Sequence, residues 1–261
     1  MNSQRIAALE GPIVQVLDQE ESLKLERILE TSVAPLDELI GGFKSSQVTV
    51  FDSDNGYASS LLHLLCVRAI SEFDEEVVWI DGGNAVDPYS ISSLCKRLRF
   101  DKKDILSRVN ISRAFTAYQL VSLIDERLEE EVKKSAPAMI IISSLTDLFL
   151  DKDMKWMESY QLLRRCSEDL WRITKEYETI TLVTDHTPGY IRSNPRMTAL
   201  LYDSSDRVVQ MRTKKDGLLV RLPREDRSLL FSPVHWNQTT LDEFFRGGSY
   251  GKDGAYIPLG P

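Results

Sequence analysis

The sequence predicts an α/β fold, a doubly wound, mainly parallel sheet that ends in C-terminal antiparallel hairpin strands. Three observations predict it. From residue 47 to residue 186, short apolar runs alternate with longer stretches of helical spacing. One run, "AMIIIS" (138–143), is apolar almost throughout, as strands buried on both faces of a parallel sheet are. After residue 206 the helical stretches stop, and strand-like segments follow one another across a turn.

The elements justify themselves in order. "SVAPLDELIGG" (32–42) reads as a turn-rich apolar lead-in, and "QVTVFD" (47–52) as a buried strand. "SSLLHLLCVRAISEF" (59–73) repeats Leu61, Leu64, Leu65 and Val67 at helical spacing. "EVVWID" (76–81) is a strand. "DPYSISSLCKRLRF" (87–100) opens on Asp-Pro, a cap followed by a first helical turn. "VNISRAF" (109–115) reads as a short strand and "TAYQLVSLIDERLEEEVKK" (116–134) as an amphipathic helix with an acidic outer face. After "AMIIIS" come a long helix (154–177) and a core strand, "TITLVTDH" (179–186). The closing pattern is a hairpin of 206–212 and 218–223 turning at Asp216-Gly217, then a strand at 227–232. Residues 1–30 read as an acidic helix or arm, 31–240 as the core domain and 241–261 as a Gly-rich flexible tail.

Composition narrows the function classes. An apolar fraction of 42% and a charged fraction of 28% are those of a globular protein, and no apolar run approaches a membrane span. The N-terminus lacks the basic start and apolar core of a signal peptide. Cys66, Cys95 and Cys166 are far apart, with no C-x-x-C, so they read as buried thiols of a reducing, cytoplasmic setting. The three histidines, His63, His186 and His235, are not spaced as metal ligands. Net charge is −8, which excludes a generally basic nucleic-acid binder. The stretch 192–227 nevertheless holds nine basic residues and five acids, a local anion-binding face or a set of solvated turns. Asp185-His186 at a strand end would suit a general base, but no nucleophile accompanies it, and it reads as the polar start of a loop. Trp156, Tyr160, Trp171 and Tyr177 read mainly as packing, with Trp156 a candidate partner surface.

The stretch "DSDNGYAS" (52–59) lies between a strand and a helix, where a P-loop protein keeps G-x-x-x-x-G-K-[ST]. A P-loop needs glycines that turn backbone N–H groups toward phosphate, a lysine for the outer phosphates and a Ser/Thr for Mg²⁺. Here those positions read Asp52, Tyr57, Ala58 and Ser59, with Asn55 and Gly56 inside the loop. Asp52 and Asp54 would set carboxylates beside a polyphosphate, a repulsion on the order of several kcal/mol in a partly desolvated site. The expected cofactor is none, with Ser59 and the helix N-terminus left as a foothold for weak ATP/Mg²⁺ binding.

Several phrases together resemble the core ATPase domain of the RecA/RadA recombinases and their KaiC relatives. "APLDELIGGFKSSQVTVF" is similar to that family's lead-in. "VVWIDGGNAVDPYSISSLCKRLRFDKKDILSRVNISRAF" is similar to its I-D-T-E, F-D-P and R-A-F stretch. "AMIIISSLTDLF" resembles its Walker B strand, and "LVTDH" stands where it has a T-N-Q sensor. The likeness spans about residues 30–232 and implies a RecA-like fold. It also implies that the family's catalytic Glu falls at Gly83, its Walker B Asp at Ser143 and its sensor pair at Asp185-His186. The expectation is a divergent paralog with degenerate Walker motifs, a pseudo-ATPase.

The resemblance also implies partners. The family holds single-stranded DNA with loops after the Walker B and sensor strands. Here these are "LDKDMKW" (150–156) and "TPGYIRSNPRM" (187–197), the second carrying Tyr190, Arg192 and Arg196. An aromatic beside arginines suits base stacking with phosphate contact, supported by Lys214 and Lys215 at the hairpin turn. The family's F-x-x-A polymerisation segment is missing from the first 40 residues, which argues against ordinary self-polymerisation. The expected function is an accessory factor in DNA recombination or repair that binds single-stranded DNA, an active recombinase, or both. The alternative is a structural subunit of a RecA-like assembly, self-associated or in a hetero-oligomer such as an Elongator-like ring, without direct DNA binding.

Overall fold

The computed structural model describes residues 26–54, 56–185 and 195–233. Eight strands form one sheet in the order β10-β9-β8-β3-β7-β6-β4-β5. Its parallel part consists of β3 (Gln47–Ser53), β4 (Val77–Asp81), β5 (Val109–Arg113), β6 (Met139–Ser143) and β7 (Ile180–Asp185), joined by β8 (Arg207–Lys214). The last two strands, β9 (Gly217–Leu222) and β10 (Arg227–Phe231), are antiparallel. A separate two-stranded ribbon pairs β1 (Ile28–Leu29) with β2 (Phe43–Lys44).

The period of two along each strand divides the core into two layers. On β4 and β6, Val77, Trp79, Met139 and Ile141 face one side, and Val78, Ile80, Ile140 and Ile142 the other. The first side is covered by α1 (Ala34–Ile40), α2 (Tyr57–Phe73), α3 (Pro88–Leu98) and α4 (Lys102–Ser107). The second is covered by α5 (Ala117–Ser122), a π-turn (Leu123–Arg127), α6 (Leu128–Ser135), α7 (Trp156–Glu176) and α8 (Pro195–Asp203). All five residues of β6 are fully buried. Each such Ile contributes about 1.5–3 kcal/mol of hydrophobic stabilisation, which explains the unbroken apolar run.

Several sequence expectations need correction. The lead-in is not all turn. Pro35 sits in the first turn of α1, and Gly41 closes the helix at φ 72°. The helix expected over 87–100 stops at Leu98, because Arg99 turns left-handed at φ 63°, and α4 follows. The helix expected over 116–134 is interrupted by the π-turn, which takes up one extra residue without ending the helix. The hairpin turns at Lys215-Asp216, with Gly217 already in β9 at φ 143°. A Cβ at Gly217 would run into the Phe231 carbonyl, so glycine lets β10 lie close. The core also begins before residue 31, since Leu29 is fully buried and Ile28 pairs with Lys44. Residues 1–25 of the expected arm (1–30) and the whole tail (241–261) lie outside the described residues.

Candidate functional site at the carboxyl edge of the sheet

Because β3, β4, β6 and β7 are parallel, their last residues share one edge. All four positions singled out above lie there or in the loops that follow.

At the end of β3, Asp52 is 8% exposed and turned onto β8. Its carboxylate forms an ion pair with Arg212 on β8, accepts the Tyr202 hydroxyl and lies 3.4 Å from the Gln210 amide. Arg212 also donates to the Asp52 carbonyl at 2.6 Å. Burial and the bond to Asp52 both push the Tyr202 phenol up. The expectation that Asp52 repels polyphosphate is therefore corrected: an internal cation balances it. Asp54 is also tied back, accepting the Thr213 N–H at 3.1 Å.

The loop leads into α2 through Gly56, which caps the helix without a side-chain bond. Tyr57 packs against the first core layer, and burial raises its phenol. Ala58, at the lysine position, is 2% exposed and belongs to that core. The Ser59 carbonyl lies 2.7 Å from His63 Nδ1, and His63 Nε2 accepts the Asp87 N–H at 2.9 Å. That pattern fixes a neutral ring with the proton on Nδ1, and burial lowers its basicity further. Asn55 lies outside the described residues.

At the end of β4, Asp81 is fully buried. It accepts the N–H groups of Ala85 and Val86 at 2.9 and 3.2 Å and the Ser143 hydroxyl at 2.8 Å, with Arg113 at 3.4 Å. Ser143, at the end of β6, in turn accepts the Trp79 indole N–H at 3.1 Å. Ser143 thus bridges two strands instead of aiming at a metal. Gly83 has no room for a side chain: a Cβ there would lie 2.5 Å from the Ser144 Cβ. Ser144 is itself buried, in a left-handed conformation at φ 56°. A glutamate at 83 would have to displace it.

At the end of β7, Asp185 is 2% exposed and accepts the Thr146 hydroxyl. Its carboxyl is pushed up to about 7, by burial above all, with Asp147 and Asp52 adding repulsion. His186 lies outside the described residues. Among the described residues, no group of three or more His, Cys, Asp or Glu is placed to hold a metal ion. No described helix is long and apolar enough to cross a membrane.

Of the residues expected to contact DNA, Tyr190 and Arg192 lie outside the described residues. Arg196 is not in a loop, as expected, but in the first turn of α8, because Pro195 starts a helix there. Its guanidinium lies 5.4 Å from the centre of the Trp156 ring, which is stacked on Tyr160. Lys214 and Lys215 are exposed at the hairpin turn. Part of the basic excess in 192–227 is held within the fold. Arg207 donates to the Ile40 and Gly42 carbonyls, Arg224 to those of Ser205 and Tyr202, and Arg227 to that of Glu38. With Arg212 bound to Asp52, four of the nine basic residues fasten the hairpin and β10 to the domain.

A second feature of the sheet has only a faint sequence signal. Among the described residues β5 pairs on one side only, and its other edge borders a cavity of about 330 Å³ lined by Val78, Ile80, Asn110, Ser112, Leu123 and Leu128, among others. The π-turn forms part of its wall. Phe115 and Tyr118, in the segment that follows β5, are 72% and 56% exposed. The signal was the polar Asn110 and Ser112 in the register of Val78 and Ile80, at the last strand of the sheet.

Comparison with known families matches a family model described as Rad51 over residues 24–204. That range runs from just before β1 to the end of α8 and includes all four strand ends. The chain belongs to the Rad51 family.

Proposed function

We propose that this Rad51-family chain acts without ATP turnover, as an accessory subunit in DNA recombination or repair that binds an active recombinase. The observation that carries this reading is the interlocked carboxyl edge. Asp52 is neutralised by Arg212, Ala58 is part of the core, and Gly83 has no space for an acid. A phosphate cradle would need donors that are free to turn outward. The partner half of the reading is supported by the cavity at the open β5 edge. Its volume exceeds the roughly 150 Å³ that accepts a benzene ring, and an unpaired edge can take an added strand. No F-x-x-A occurs anywhere in the 261 residues, so the inserted segment would come from another chain. Direct binding of single-stranded DNA by the 187–197 loop is the weaker part, because Arg196 is turned onto Trp156. A cytoplasmic location belongs to the same proposal and is supported by three free, buried cysteines.

The test has two arms. Titration with a fluorescent ATP analogue and Mg²⁺, with phosphate release measured in parallel, should give neither saturable binding nor turnover. Sustained hydrolysis by the pure chain would sink the non-ATPase reading. Co-purification with a recombinase should be lost in Ser112→Trp, which fills the cavity, with the melting temperature unchanged. Retention of the partner by that variant would remove the edge cavity from the proposal.

A further inference from the structure

A dense run of cationic side chains lies at the opposite edge of the sheet. α3 starts beyond the carboxyl end of β4 and runs back, so the α3–α4 connection lies where the parallel strands begin. Between residues 96 and 103, "KRLRFDKK" holds five basic side chains and one acid, in a chain of net charge −8. Lys96, Arg99, Lys102 and Lys103 are exposed and make no ion pair among the described residues. Several acids toward this edge are tied elsewhere: Asp74 and Asp104 share Arg108, Glu72 holds Arg68, Glu75 holds Arg27, and Asp101 caps α4.

The connection is also rigid. The N–H of Arg99 and that of Phe100 both return to the Cys95 carbonyl, closing α3. Asp101 accepts the Lys103 N–H at 2.9 Å, which opens α4. The left-handed position is filled by Arg99, although glycine would avoid a cost of about 1 kcal/mol. The side chains exposed from 99 to 103 are cationic apart from Phe100 and Asp101.

We propose that this patch binds the phosphodiester backbone of a nucleic acid, at a surface separate from the carboxyl edge. Three lysines act as flexible point charges and one arginine as a fork, a set suited to phosphates irrespective of base sequence. An acidic protein segment would need apolar surface to fix its register, and here only Phe100 provides it.

Fluorescence anisotropy with labelled single-stranded and duplex oligonucleotides, between about 50 and about 200 mM salt, tests the proposal. Lys96→Glu/Arg99→Glu/Lys102→Glu/Lys103→Glu should lose more than about tenfold in affinity at low salt. Its salt slope should fall by about 3, as four lost phosphate contacts imply. The matching four Gln substitutions should show an intermediate loss, with melting temperatures unchanged as the folding control. Lys133→Glu/Lys134→Glu, exposed on α6, should bind as the unaltered chain does. The arm that binds more tightly identifies the single strand or the duplex as the ligand. Retained affinity in the Glu variant overturns the proposal, as does the absence of binding to either oligonucleotide. Equal competition by polyglutamate overturns it too, because the patch would then be indifferent to phosphate.

Discussion

Replacing Asp185 with Asn should make stability less dependent on pH, and the sign follows from burial. In the folded chain this carboxyl is held at about 7, against 3.8 as its ordinary value. A raised carboxyl costs nothing below the lower value, where both states hold the proton. As pH rises between the two values, the unfolded chain gives up its proton and the folded chain does not, so stability falls. At 1.36 kcal/mol per unit, the cost is about 1.7 kcal/mol at about pH 5 and about 4 kcal/mol at about pH 8. Asn keeps an oxygen to accept the Thr146 hydroxyl and carries no charge toward Asp147 and Asp52. The variant should therefore gain about 2.5 kcal/mol more at the higher pH than at the lower. Urea unfolding of both proteins at the two pH values measures the difference. An equal effect at both would refute the assignment, and a destabilised variant at the higher pH would show that Asp185 is needed as an anion.

Two further substitutions probe the same edge. Arg212→Ala removes the cation that balances Asp52 and should cost about 2–3 kcal/mol, at or just below the range for breaking a buried pair, since Arg212 retains 22% exposure. Gly83→Glu should lower the melting temperature and give no hydrolysis, because the side chain meets Ser144. A Gly83→Glu variant as stable as the parent would mean that the 82–86 loop moves readily.

The sheet was legible in the sequence because its signals are local. Met139 to Ser143 announce a two-sided strand by composition alone, and Lys215-Asp216-Gly217 announces a hairpin to within one residue. The helix interruptions were not legible. Nothing in "SLIDERL" distinguishes a π-turn from an α-helical turn, since the extra residue is absorbed by hydrogen bonding and not by a Gly or Pro. Arg196 was misplaced because Pro195 reads as a turn residue as readily as a helix start. At the carboxyl edge the residue types were visible and their partners were not. Asp52 and Arg212 are 160 positions apart, and only the β3–β8 pairing brings them together. Counting charges along 192–227 therefore overstated the cationic surface. The patch at 96–103 was missed for the converse reason, as a dense local run hidden inside an acidic total.

The bond between Asp52 and Arg212 also bears on how this chain could change over generations. A substitution at 52 alone would leave Arg212 and Tyr202 without their shared acceptor. One at 212 alone would leave a buried, uncompensated anion. Either single step costs stability, so the two positions change more readily together than one at a time. Although distant in sequence, they behave as one inherited unit.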